Sequence, residues 1–169
     1  MLAELEQKIF TPSLDEIDKE RDWIFARVEE VGPELLGKMS LRAATIRNRA
    51  YAPYSGYKVG ACLLSKSGAL YLGCNHETVT FTGTKHAEGV AISSAIVGGE
   101  IELNGREFIH TLVVAHSGDS PPCGGCRQNI VEHANNCLII NANDRGEIIR
   151  IASLKALFPH SFNPSHLGK

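Results

Sequence analysis

Two short clusters constrain this chain more than any other stretch: His86-Ala87-Glu88 and, further on, Pro122-Cys123-Gly124-Gly125-Cys126. The first supplies an imidazole and a carboxylate two residues apart. The second supplies two thiols spaced so that both sulfurs can reach one ion. Three such ligands leave a fourth position for water, as a catalytic zinc site requires, with one carboxylate over for proton transfer. A fold that uses them must bring the two segments together. Each cluster alone is ambiguous. Cys-x-x-Cys also serves redox dithiols and structural zinc knuckles, His86 is one of seven histidines, and a helix-start glutamate is ordinarily solvated. A structural zinc wants a second Cys/His pair at short spacing. Cys62, Cys74 and Cys137 instead fall in predicted strands and read as small buried hydrophobes.

The 169 residues suit one domain with an appendage. A net charge of −2 without a clustered basic face argues against a nucleic-acid polymer as ligand. Residues 1–10 mix Glu4, Glu6 and Lys8 with apolar side chains, unlike a signal or transit peptide. No apolar run approaches the roughly 20 residues of a membrane span. Five cysteines, an odd number, fit metal binding in a reducing compartment better than a disulfide framework. The expectation is a cytoplasmic protein with neither nucleic acid nor membrane as partner.

Residues 1–32 read as an N-terminal helical extension. Ser13 and Glu16 fit a capping box, Leu14, Ile17, Ile24, Val28 and Val31 form one apolar stripe, and Gly32-Pro33 stops it. Residues 33–169 form the second unit. It opens with a helix over 33–51, burying Leu35, Leu36, Met39, Leu41 and Ile46. Strands are predicted over 57–65, 69–74, 108–115, 137–141 and 147–151. Helices are predicted over 86–97, with Val90, Ala91, Ala95 and Ile96 inward, over 125–134 and over 153–157. This alternation predicts the α/β class, a three-layer α/β/α sandwich with a mixed central sheet of about five strands. Both clusters then fall at helix N-termini, where unpaired N–H groups favour thiolate over thiol.

Jointly the clusters match His-x-Glu … Pro-Cys-x-x-Cys, the signature of zinc-dependent deaminases. The stretch Tyr51-Ala-Pro-Tyr-Ser-Gly-Tyr-Lys-Val-Gly-Ala61 resembles the opening segment of cytidine deaminases. Gly73-Cys-Asn-His-Glu77 is similar to the family's Asn-x-Glu ribose-binding pair, and Phe158-Pro-His-Ser-Phe-Asn-Pro164 resembles its C-terminal segment. The resemblance spans about residues 35–167 and leaves the extension outside.

The resemblance implies Zn²⁺ held by His86, Cys123 and Cys126. It implies hydrolytic deamination of cytidine and 2′-deoxycytidine to uridine and 2′-deoxyuridine, with release of ammonia, in pyrimidine salvage. Glu88 would be catalytic, moving a water proton to N3 and then helping the amine depart. The Ala87 N–H would hold the base carbonyl and the Pro121 carbonyl the exocyclic amine. Asn75 and Glu77 would bind the sugar 3′-hydroxyl. Tyr57 would wall the base, with Phe81 or Phe162 completing a neighbouring subunit's pocket. Arg127 and Gln128 would donate to the thiolates.

Members with three thiolate ligands carry Arg after the Glu. This chain has Gly89 there, and two thiolates with Zn²⁺ are already neutral. Two further departures bear on the preferred nucleoside: Tyr57 where the family commonly has Phe, and Phe81-Thr82-Gly83-Thr84 where it commonly has Tyr-Pro-x-Gly. A homotetramer is expected, with a dimer as the alternative. The rival readings are a deaminase of a modified cytosine nucleoside such as blasticidin S, a non-catalytic zinc scaffold and a polynucleotide-editing deaminase. Glu88 argues against the scaffold, and the lack of basic clusters argues against the editing enzyme.

Overall fold

Successive residues of a strand point to opposite faces of a sheet, and the strands of this chain are apolar on both. In β1 (Gly60–Ser65), Ala61 and Leu63 pack on one side while Cys62 and Leu64 pack on the other. The same division runs through β2 (Leu70–Cys74), β3 (Ile109–Ala115) and β4 (Leu138–Ala142). A fifth strand, β5 (Ile148–Ser153), completes a sheet of order β2-β1-β3-β4-β5. Only the β3–β4 pair is parallel; the other three pairs are antiparallel. The structure, a computed structural model, describes residues 14–168.

Each apolar face is covered by helices. On one side lie α1 (Leu14–Val31) and α2 (Pro33–Arg47), with Trp23, Ile24, Val28 and Leu36 packed against Leu138 and Ile140. On the other lie α3 (Ala87–Val97) and α5 (Gly124–Val131), with Ala91, Ile92 and Ile130 packed against Leu112 and Ile139. Two short helices, α4 (Glu100–Asn104) and α6 (Leu154–Leu157), follow α3 and β5. The three-layer sandwich around a mixed five-stranded sheet is the architecture the alternation predicts. No helix among the described residues is long and apolar enough to cross a membrane.

Several local expectations need correction. α2 ends at Arg47 rather than residue 51, and the Arg47 Nε turns back to the Lys58 carbonyl at 2.9 Å. Small residues Ser40, Ala43 and Ala44 are its buried positions with Leu36 and Met39, while Leu41 is exposed. In α1, Ile17 is exposed and Trp23 takes its place in the stripe. In α3, Ile92 rather than Ile96 faces the core. The Ser13 capping box and the Leu14 side chain lie outside the described residues.

Strand register decides where the site forms. Gly60 pairs with Cys74 on one side and Ala115 on the other. Val59, Asn75 and His116, one step beyond these three, therefore emerge together at one end of the sheet. Two glycines let helices rest directly on strands. A Cβ at Gly60 would lie 2.1 Å from the Ala43 carbonyl of α2, and one at Gly73 would lie 2.2 Å from the Ala87 carbonyl of α3. No side chain fits either contact, so the first turn of α3, which carries Glu88, sits hard against β2.

Candidate active site and metal centre

His86 is the N-cap of α3 and Cys123 the N-cap of α5, both in extended backbone. Neither side chain caps its own helix. Both turn instead toward each other. His86 Nδ1 lies 3.3 Å from the Cys126 sulfur and 3.5 Å from the Cys123 sulfur. The three ligand atoms all fall within 4.8 Å of one another. Tetrahedral zinc with bonds of about 2.3 Å to sulfur and 2.05 Å to nitrogen has nitrogen–sulfur edges of about 3.6 Å, so the spacing fits.

Charge fits as well. Burial pushes the Cys126 thiol far above its ordinary range, and the negative charges of Glu88 and Cys123 push it further. A divalent cation among these groups offsets that repulsion and draws both thiols to thiolate. The other cysteines differ. Burial raises Cys62 to about 11 and Cys137 to about 12, which suits inert packing.

A cavity of about 430 Å³ opens onto this cluster and is lined by Glu88, Asn75, Glu77 and Tyr57 among others. Glu88 is 5% exposed and its carboxylate meets the Cys126 sulfur. Ala87 and Pro121 also line the cavity. Ala87 belongs to the first turn of α3, whose N–H groups have no partner within the helix. Asn75 uses both ends of its amide on the opening segment: Oδ1 accepts from Val59 N (2.8 Å) and Nδ2 donates to the Tyr57 carbonyl (2.9 Å). Glu77 accepts from the Ser55 hydroxyl, from Tyr54 N (2.9 Å) and from Ser55 N (3.3 Å). The Ser55 hydroxyl, then the Tyr54 N–H, hold its carboxyl below the usual carboxylate range despite burial.

Two expected contacts, those of Arg127 and Gln128 with the sulfurs, fall elsewhere; Phe81 and Phe162, expected in a neighbouring subunit's pocket, lie on the surface of the single chain. Phe81 is 69% exposed, has a positive φ of 55° and pairs with the Tyr54 ring outside the cavity of its own chain. Phe162 is exposed and stacks on His166. Arg127 does not donate its side chain to the sulfurs: Nε binds the Pro122 carbonyl at 2.7 Å, and a terminal nitrogen binds the Leu157 carbonyl. Gln128 bonds to Glu132 (3.1 Å) and the Phe162 carbonyl (2.9 Å). Both side chains brace the loop and the C-terminal segment because a planar polar group finds fixed carbonyls there.

Sequence reasoning missed two residues. Ser55 joins Glu77 to the opening segment, and its hydroxyl also accepts from Tyr57 N at 2.9 Å. His116, 2% exposed, receives the Tyr57 hydroxyl at 2.8 Å. Burial raises the Tyr57 phenol, Arg47 draws it back and Glu88 adds to the rise, leaving it protonated at neutral pH. A polar residue directly after the apolar run Leu112–Ala115 was the available signal for His116.

The sequence matches the family model for the cytidine and deoxycytidylate deaminase zinc-binding region over residues 34–148. It is 34% identical over 132 residues to a cytidine deaminase of Sporosarcina psychrophila, covering 78% of this chain and 93% of that protein. A cytidine deaminase of Halalkalibacterium halodurans is also 34% identical, over 80% of this chain and 97% of its own length. Among solved structures, cytidine deaminase from Burkholderia pseudomallei superposes with a TM-score of 0.66 at 31% identity, covering 74% of this chain and 97% of that one. The Mycobacterium tuberculosis enzyme superposes with a TM-score of 0.62 at 28% identity, covering 74% and 94%. Taken with the zinc-fitting cluster and the buried glutamate beside it, these likenesses show that the chain is a zinc-dependent deaminase belonging to the cytidine deaminase family.

Proposed function

We propose that the protein deaminates cytidine and 2′-deoxycytidine hydrolytically, and that His86, Cys123 and Cys126 hold its zinc. The observation that carries this reading is the convergence of a three-ligand cluster and the buried Glu88 on a cavity also lined by Asn75 and Glu77. When bound, zinc supplies the Lewis acidity that makes water nucleophilic near neutral pH. Glu88 takes the proton of the water attacking C4 and delivers it to N3. It next takes the remaining proton from the hydroxyl now on C4 and passes it to the amine, so that ammonia leaves and a carbonyl remains at C4. The Ala87 N–H holds the base carbonyl and the Pro121 carbonyl accepts from the exocyclic amine.

Glu77 and Asn75 receive the sugar 3′-hydroxyl. A carboxylate there repels a nearby phosphate, which favours nucleosides over nucleotides and nucleic acid. The place of such an enzyme is pyrimidine salvage in the cytoplasm, with residues 1–32 as an extension of a catalytic domain over 33–169. A homotetramer accounts for the exposed apolar side chains Val79, Phe81, Val97 and Leu103. It would also cover His86 and Cys123, which are exposed in the single chain.

Turnover of cytidine, 2′-deoxycytidine and blasticidin S, followed by absorbance and ammonia release, tests the reading. Turnover of both ordinary nucleosides supports it, and turnover of blasticidin S alone would replace it with the modified-nucleoside reading.

A further inference from the structure

Both nitrogens of the His116 ring have fixed partners. Gly118 N–H points at Nδ1 from 2.9 Å, and a backbone N–H can only donate, so Nδ1 carries no proton. The Ser120 carbonyl lies 2.8 Å from Nε2 and can only accept, so Nε2 carries the proton. The ring is therefore neutral and held in one tautomer. It follows that the Tyr57 hydroxyl, 2.8 Å from Nδ1, donates to the same lone pair and shares it with Gly118 N–H, since an undonated contact at this distance would set two lone pairs against each other. With its proton committed, the phenolic oxygen can act toward a ligand only as an acceptor.

Tyr57 and His116 both line the cavity that Glu88 lines. The main chain of Tyr57 is held as well, since Asn75 Nδ2 donates to the Tyr57 backbone carbonyl at 2.9 Å. Asn141, buried on β4, donates to the same Ser120 carbonyl at 2.6 Å. His116 thus ties the pocket wall to the loop that leads through Pro121 to Cys123.

Resting on the deaminase reading above, we infer that Tyr57 is a specificity residue that accepts a hydrogen bond from an amine or hydroxyl hydrogen of the bound nucleoside, and that His116 is the positioning residue that fixes this polarity. A freely rotating phenol would serve donors and acceptors alike. This one discriminates between them.

Wild-type turnover of cytidine reports on the deaminase reading by itself. The pair is tested separately by calorimetric dissociation constants in the zinc-loaded Glu88→Gln background, where cytidine is not consumed. The ligands are cytidine, its 2′-, 3′- and 5′-deoxy analogues, and uridine. Adding Tyr57→Phe weakens cytidine about threefold to tenfold, the usual loss of one neutral hydrogen bond. If the loss vanishes for one deoxy analogue, the donor is that hydroxyl. If it persists through all three but is absent for uridine, the donor is the exocyclic amine. No loss for cytidine, or an equal loss for all five ligands, would overturn the contact.

His116→Asn, which places an amide oxygen near the position of Nδ1, retains the wild-type pattern. His116→Gln reaches only the Nε2 position and frees the phenol to donate as well as accept, so it keeps most of the cytidine affinity but relieves the penalty against the ligand that lacks the donor. Equal behaviour of the two would overturn the positioning role. Zinc content and thermal melting check folding, and Tyr57→Phe, which keeps the ring, carries the test if a His116 variant does not fold.

Discussion

Two buried glutamates stand in the first turns of neighbouring helices, and their surroundings are opposite. Glu100 of α4 is fully covered, and Ser65 (2.9 Å), Ser67 (2.6 Å) and Tyr71 (2.9 Å) all donate to one of its oxygens. Asn104 donates to the other at 2.8 Å. Burial pushes this carboxyl up, but the four hydrogen bonds outweigh burial and hold it below the usual carboxylate range. Glu88 of α3 instead meets a sulfur of the metal cluster and the cavity. Burial of a carboxylate therefore does not by itself mark chemistry. A carboxylate saturated by neutral donors clasps two pieces of chain, whereas one left facing a cavity and a metal cluster can carry a proton.

Exchanging the two acids for amides should separate these roles. Glu88→Gln is expected to lower kcat by about 10²–10⁴-fold while zinc content and melting temperature hold near wild type. Retained turnover would remove Glu88 from the chemistry. Glu77→Gln falls between the two, because it weakens both the clasp on Tyr54 and Ser55 and the binding of sugar. KM for cytidine should rise roughly 10-fold to 100-fold, the range for hydrogen bonds to a charged group, with a smaller change in kcat. Glu100→Gln should leave KM and kcat within about twofold but cost about 1–3 kcal/mol in chemical denaturation, lowering Tm by several degrees.

The smallest effect is in pH. A carboxylate held below its ordinary range stabilises the fold above that range, and the stabilisation is lost as pH falls through the lowered pKa. The Tm advantage of wild type over Glu100→Gln should accordingly shrink between neutral pH and about pH 3. An advantage that grows with acid would mean that Glu100 is buried in its protonated form.

The contrast also explains what the sequence could show. Glu88 was legible because its surroundings arrive in two local packets, His86 beside it at the head of one helix and the Cys123/Cys126 pair at the head of another. Glu100 was not. Its donors on the β1–β2 hairpin come from 29 to 35 residues away, and α4 is too short to show a period. Strands β1, β3 and β4 were legible from continuous apolar runs, since both their faces are covered. The end of α2 was not, because no breaker follows Arg47; the chain departs where that side chain turns to Lys58. His116 was hidden for a related reason: its tie to the pocket wall spans 59 residues. Gly60 and Gly73 are plain in the sequence, but what they admit, a helix backbone, appears only when the layers are assembled.

The bare N-caps of α3 and α5 have a consequence for how this protein can be made more robust. A serine, threonine or aspartate at such a position ordinarily adds about 1 kcal/mol, and installing one is among the simplest routes to thermostability. That route is closed at the two helices that frame the candidate metal cluster, because the capping residues His86 and Cys123 are the proposed ligands. Gains must be sought on the opposite layer, in α1 and α2, whose surfaces are not committed to chemistry. The molecule is divided into a side open to improvement and a side that chemistry holds below its own stability optimum.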